Sequence, residues 1–243
     1  MQGMERVAMF NPRPQIERLR LPNDRFCYVI DDALIEPEAL VQFAAANRAA
    51  FSPVNFSAYP GNYLEMPAQI AARLGDFFVA HARRGFDARR VVHMRCRLSM
   101  VTLRSEELQP FQSICHTDGL SADPRQSIQA SVLYLFKDES LGGTSFYEPA
   151  RSPRDMAELF QDSRTLAAPA FARKYGIAPG YMGASNEWFT RIGGVAAKWN
   201  RIVFYDGHML HSGDIPAPDK LSADPLSGRL TLNGFFTSRR NAV

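Results

Sequence analysis

Arg229-Leu230-Thr231-Leu232-Asn233-Gly234-Phe235-Phe236 alternates polar and apolar side chains. In an extended chain successive side chains point to opposite faces. Arg229, Thr231 and Asn233 therefore share one face, and Leu230 and Leu232 share the other. Such a strand is half buried, with polar groups on a face turned to a site or to solvent. Working outward, residues 95–103, 127–136 and 201–205 are further short runs bounded by turn residues. Gly142-Gly143 marks a tight turn before a run at 144–147. The first third reads differently. Pro37 suits a first helical turn, and Leu40, Phe43 and Ala44 follow at helical spacing. A second helix is expected over 67–82, where Ile70, Leu74, Phe77, Phe78 and His81 form one stripe. Residues 152–175 read as helical or irregular and interrupt the strands. Helices followed by many antiparallel-type strands predict an α+β fold with a barrel or jelly-roll core.

The 243 residues are 46% hydrophobic and 22% charged, which excludes a disordered chain, a collagen and a small disulfide scaffold. A chain of this length buries enough surface to fold without a metal, so a metal site here is functional. No repeat or linker divides it, and a single domain over 1–243 is expected. The net charge of +3 is spread out. The densest basic stretch, 83–97, reads as a solvated helix end and loop, and no nucleic-acid partner is expected. The three cysteines, Cys27, Cys96 and Cys115, include no Cys-x-x-Cys pair and fit a reducing compartment. Residues 1–23 lack the apolar run of a signal peptide, and no stretch reaches the length of a membrane span. The expected location is the cytoplasm, with no membrane partner.

Among the five histidines, His81 reads as a packed residue of its helix. His116 and Asp118 lie two apart in Cys115-His116-Thr117-Asp118-Gly119, so an extended backbone turns both side chains to one side. His211 follows the run at 201–205 across a turn at Asp206-Gly207, and only a folded sheet brings it to His116. Two imidazoles and one carboxylate on one face of an ion form the facial triad of non-haem Fe(II) oxygenases, with positions left open for a co-substrate and oxygen. His208 competes with His211 for the distal position. Arg229, on its polar face close after these histidines, suits an acidic ligand, because guanidinium binds carboxylate bidentately.

Several segments, in order, resemble the Fe(II)/2-oxoglutarate-dependent dioxygenases, in the branch similar to prolyl 4-hydroxylase. They are Tyr28-Val29-Ile30-Asp31-Asp32-Ala33-Leu34, Cys115-His116-Thr117-Asp118, Ser131-Val132-Leu133-Tyr134-Leu135 with Gly142-Gly143-Thr144-Ser145-Phe146, Asn200-Arg201-Ile202-Val203-Phe204-Tyr205 with Leu210-His211, and Arg229-Leu230-Thr231-Leu232-Asn233. The match spans about 25–238. The resemblance implies a double-stranded β-helix, jelly-roll or cupin-like, with N-terminal helices packed on one sheet. A helical part at about 24–92 would precede a barrel core at about 93–238. The resemblance implies His116, Asp118 and His211 as catalytic iron ligands, Fe(II) and O2 as requirements, and 2-oxoglutarate as co-substrate. It implies Arg229 as partner of the distal 2-oxoglutarate carboxylate, with Thr231 as a hydroxyl donor. The stretch between His211 and Arg229 is longer than the family's pattern. Its Pro216, Pro218 and Pro225 fit an extended loop, and Lys220 in that loop is the alternative cation. A carboxylate at position 118, where halogenating relatives have a small residue, favours hydroxylation.

Arg97, Ser99, Gln112, Gln129 and Tyr134 lie on runs expected to approach the metal and are candidates for co-substrate contact, Tyr134 and Gln129 above all. The insertion at about 150–199 is expected to be lid-like. Its aromatic residues are read mainly as core, with some lining a pocket for a small-molecule or peptide substrate. Two other readings keep the barrel: a cupin-like metal enzyme without 2-oxoglutarate, and a non-catalytic binding protein.

Overall fold

The computed structural model describes residues 9–53, 58–119 and 123–241. Eleven strands and four α-helices follow one another along them. The strands are β1 (Gln15–Arg20), β2 (Phe26–Asp31), β3 (Ser52–Pro53), β4 (Gly61–Glu65), β5 (Arg90–Val101), β6 (Gln126–Tyr134), β7 (Gly143–Pro149), β8 (Phe189–Val195), β9 (Ile202–Asp206), β10 (Leu210–Asp214) and β11 (Arg229–Arg239). The helices are α1 (Pro37–Ala46), α2 (Ala68–His81), α3 (Pro153–Thr165) and α4 (Ala168–Tyr175).

Two antiparallel sheets result, and together they form a double-stranded β-helix. The larger has eight strands in the order β1-β2-β9-β6-β11-β5-β4-β3, and the smaller runs β10-β7-β8. The alternation read in 229–236 decides how the large sheet is used. Leu230, Leu232 and Phe236 of β11, with Leu98 and Met100 of β5, face α1 and α2 and close one core with Ile70, Leu74, Phe77 and Phe78. The opposite face turns to the small sheet. There Ala130, Tyr134, Val203 and Tyr205 meet Phe146, Val195 and Ala197 in a second core. The N-terminal helices thus pack on one sheet, as expected.

Three expectations are corrected. The segment 24–92 is not simply helical: β2, β3 and β4 within it are strands of the large sheet. The basic stretch at 83–97 is not a solvated loop throughout, because β5 begins at Arg90 and places Arg95 and Arg97 in the sheet. The insertion at 150–199 is not all lid, since its end is β8, which pairs with β7. Strand β8 escapes a reading by alternation because Gly193 and Gly194 interrupt it, Gly193 with φ +156° beside a register shift opposite Phe146 and Tyr147. Most of the insertion's aromatic residues form a third core, while Tyr181 lines a cavity and Trp199 packs on the helix-side core. Phe171, Tyr175 and Phe189 pack with Leu159, Tyr147 and Ile114.

Gly142-Gly143 is the turn that lets the small sheet close. Gly142 has φ +84°, and a side chain there would run into the carbonyl of Asp214; one at Gly143 would run into the carbonyl of Val195.

Phe78 is fully buried on the helix side and stacks on Phe236 at 4.3 Å between ring centroids. Replacing Phe78 with Ala should lower unfolding stability by about 3–5 kcal/mol, read from a denaturant titration, because the cavity left between α2 and β11 cannot refill.

Candidate metal centre and its cavity

His116 does not belong to a named strand, yet it forms an antiparallel bridge with His211 of β10. The His116 N–H donates to the His211 carbonyl at 3.0 Å, and the His211 N–H donates to the His116 carbonyl at 2.9 Å. Residues that exchange both bonds lie directly opposite, with Cα atoms about 5.5 Å apart, and send their side chains to the same face. The two imidazole centroids are 4.5 Å apart. Asp118 is set by a third backbone bond, from its N–H to the Gly207 carbonyl at 2.9 Å. Its position two residues after His116 brings its carboxylate round to the same side. One donor atom from each of His116, Asp118 and His211 lies within 4.8 Å of the other two.

The surroundings prepare these groups to bind a cation. His211 Nδ1 lies 3.0 Å from the carbonyl oxygen of Met209, an acceptor only. That nitrogen therefore carries the proton, and Nε2 keeps its lone pair for an ion. His211 Nε2 is 3.4 Å from Asp118 Oδ2. Burial, then the proximity of a second imidazole, His211, and of the Arg97 guanidinium, pushes His116 down to about 4 against the opposing pull of Asp118. His116 is therefore neutral at physiological pH, the form that ligates metals. The Tyr205 hydroxyl donates to Asp118 Oδ2 at 3.0 Å and lies 3.1 Å from His211 Nε2. Burial holds its phenol well above the usual value.

These groups open on a cavity of about 290 Å³, near the lower end for small-molecule sites, which run from about 300 Å³. Arg229 and Thr231 line it, as the alternation requires. Arg229 is 3% exposed. Its Nε donates to the carbonyls of Leu141 at 2.9 Å and Gly142 at 3.2 Å, and its Nη2 to that of Gly143 at 2.9 Å. No carboxylate lies in ion-pair range of it among the described residues. The Thr231 hydroxyl reaches the Ser99 carbonyl at 3.4 Å.

The other candidates are sorted by geometry. Lys220 is an exposed partner of Asp138 at 3.1 Å and does not line the cavity. His208 sits outside it against Asp206 at 3.0 Å. Arg97 and Gln112 line the cavity. Gln129 does not, which corrects the sequence reading. It is five residues from Tyr134 in β6 and so faces the helices. Its amide donates to Ser127 at 2.9 Å and accepts from Ser238 at 2.8 Å. Tyr134 is on the inner face but fully buried, and its hydroxyl meets the Thr144 hydroxyl at 2.8 Å; Thr144, not Tyr134, lines the cavity. Sequence reasoning missed Tyr205 and Tyr59. The first could have been found as the residue in phase with Val203 at the end of β9. The second lies in irregular chain against Arg229 and Thr231 and left no periodic signal.

A sequence profile of a family of unknown function, DUF6445, matches residues 12–236. The chain belongs to the DUF6445 family. No curated protein sequence matches it. Among solved structures, this DUF6445 protein is similar to a Pseudomonas putida prolyl-4-hydroxylase, with TM-score 0.44, 16% identity, and 85% of this chain and 86% of that chain covered. It is similar to HygX from Streptomyces hygroscopicus, a structure with nickel and 2-oxoglutarate bound, with TM-score 0.45, 10% identity, and 88% and 82% covered. A third similarity is to an N-substituted L-amino acid dioxygenase from Burkholderia ambifaria, with TM-score 0.39, 12% identity, and 96% and 100% covered.

The Tyr205 hydroxyl generates a prediction for this DUF6445 site. Groups that orient a ligating side chain typically contribute tenfold or more to metal affinity. Tyr205→Phe should weaken Ni(II) or Fe(II) binding by roughly tenfold in calorimetric titration while leaving the melting curve of the metal-free protein cooperative.

Proposed function

We propose that this protein is a non-haem Fe(II)- and 2-oxoglutarate-dependent dioxygenase that hydroxylates an unactivated C–H bond. The overall reaction takes substrate, 2-oxoglutarate and O2 to hydroxylated product, succinate and carbon dioxide. The observation that carries the co-substrate half of this reading is Arg229. It is a buried guanidinium with no acidic partner among the described residues, on the wall of the same cavity as the triad. A buried charge is stable only when it is compensated, and the three carbonyls that hold it leave its positive charge unneutralised. A carboxylate entering the cavity completes it.

The donor set fits the metal. Two neutral imidazoles and a carboxylate suit Fe(II), and thiolate is absent from the cluster, since the nearby Cys115 is fully buried in the third core. Fe(II) at these residues would supply oxygen activation when 2-oxoglutarate and O2 are bound. The chain's own work is positioning. His116, Asp118 and His211 would hold the ion from the wall formed by the β10 bridge. Arg229 receives the distal carboxylate of 2-oxoglutarate, and the Thr231 hydroxyl turns from the Ser99 carbonyl to donate to it. Tyr205 keeps Asp118 oriented. Val101, Val132 and Ile215 of the cavity wall limit water around the reacting groups. Small molecules suit the cavity volume. The three free, buried cysteines support a cytoplasmic location, and among the described residues no helix is long and apolar enough to cross a membrane.

Anaerobic titration of the Fe(II)-loaded protein with 2-oxoglutarate should produce the weak visible charge-transfer band of the chelate. Iron bound without that band sinks the proposal in favour of a metal enzyme that does not use 2-oxoglutarate. Arg229→Ala should weaken 2-oxoglutarate binding by about tenfold to a hundredfold, the worth of a charge-assisted pair, and change iron affinity far less.

A further inference from the structure

Four arginines line the cavity, Arg95, Arg97, Arg164 and Arg229, and of these Arg97 stands between aromatic rings with no role in the reaction as described. Arg97 of β5 stands directly opposite Asn233 of β11, on the inner face. Its guanidinium carbon lies 3.6 Å from the ring centroid of Tyr63 and 4.8 Å from that of Phe235. Arg95, two residues earlier on the same face, lies 5.3 Å from the Phe235 ring. Aromatic faces at these distances fix a guanidinium in place without neutralising it. Glu65 stands opposite Arg97 in the β4–β5 ladder, yet no carboxylate forms an ion pair with Arg97 or Arg95 among the described residues.

Among the described residues, three buried polar atoms on this wall lack hydrogen-bond partners, Arg97 Nε, Ser99 Oγ and Asn233 Oδ1. The first is a donor and the last an acceptor, and these two belong to residues facing each other across β5 and β11. Buried polar groups are nearly always paired, so an orphan donor beside an orphan acceptor marks a surface completed by a ligand. The co-substrate cannot be that ligand. Asn233 is four residues from Arg229 along β11, about 13 Å of strand, while the five-carbon diacid spans only ~5 Å between its carboxyl carbons. The metal positions and Arg229 already claim both of its ends.

We infer that the substrate is a carboxylic acid bearing an N–H or O–H group, with its carboxylate on Arg97 and its donor on Asn233. The inference rests on the dioxygenase reading for the word substrate, and on Arg97, Asn233, Tyr63 and Phe235 alone for the binding site. Arg95 adds positive charge at the same wall. Among the described residues the only carboxylate lining the cavity is Asp118, which is assigned to the metal.

The test uses the full chain loaded with Fe(II) and saturated with 2-oxoglutarate, without oxygen. Calorimetry titrates N-acetylglycine, hippurate and mandelate, each beside its uncharged primary amide. At least one acid is expected to bind about tenfold or more tightly than its amide. Arg97→Gln should remove that preference and leave 2-oxoglutarate affinity unchanged, and Arg97→Lys should recover part of it. Melting curves of both variants separate lost binding from lost folding. The proposal is overturned if none of the acids binds while 2-oxoglutarate does, or if Arg97→Gln keeps the preference. If 2-oxoglutarate itself fails to bind, the dioxygenase reading falls. The same acids are then titrated on the protein alone, where dependence on Arg97 decides the binding site independently.

Discussion

Two backbone hydrogen bonds between His116 and His211 hold the candidate site together. They join chain segments far apart in sequence, and they do so in the one antiparallel geometry that sends both imidazoles to the same face. His116 lies outside the small sheet proper, and the bridge gives that sheet a vestigial fourth strand beside β10. Everything else at the metal centre is indexed to it. Asp118 follows by the two-residue period and is pinned by Gly207, the His211 tautomer is set by Met209, and Tyr205 reaches across from the large sheet to Asp118. Breaking the bridge would move one imidazole relative to the other, and no side-chain contact would restore them.

The second constraint is the Gly142-Gly143 turn. It allows β7 to approach β10 and β8 closely, and its carbonyls also receive the Arg229 guanidinium. The same two residues therefore close the small sheet and aim the buried cation of the large one. Arg229 is tied to the fold at its Nε and one terminal nitrogen, which leaves its charge fixed in position and uncompensated. A preorganised cation of this kind loses little freedom when an anion arrives.

Much of this was legible in the sequence, and the losses have physical causes. The period of two in 229–236 assigned Arg229, Thr231 and Asn233 to one face correctly, because Leu230 and Leu232 fix the phase. The same rule shows that Gln129 and Tyr134 of one strand cannot both face the metal. In 127–136, however, both faces are buried, so hydrophobicity gave no phase. His116 and Asp118 could be paired from spacing alone, whereas the choice of His211 over His208 needed the bridge. Strand β8 was hidden by its glycines. The arginines at 95 and 97 looked like the continuation of a basic surface, since charge density says nothing about which side of a sheet a residue faces.

That last point bears on how the cavity should be understood. Elsewhere in this protein several cations meet acids: the half-buried Arg201 and the exposed Lys198 share Asp31, the exposed Arg191 reaches Asp214, and the exposed Lys174 bridges Glu158 and Asp162. Arg97 and Arg229 have no acidic partner in ion-pair range among the described residues, and both line the cavity that also holds the triad. If they were merely structural, a hydrophobic residue of similar volume would cost less desolvation at each position. Their retention inside the wall, one held by carbonyls and the other between aromatic rings, makes sense for a site that takes up two separate anions. A divalent ion held by the triad would add to the same positive field and strengthen the pull on both acids.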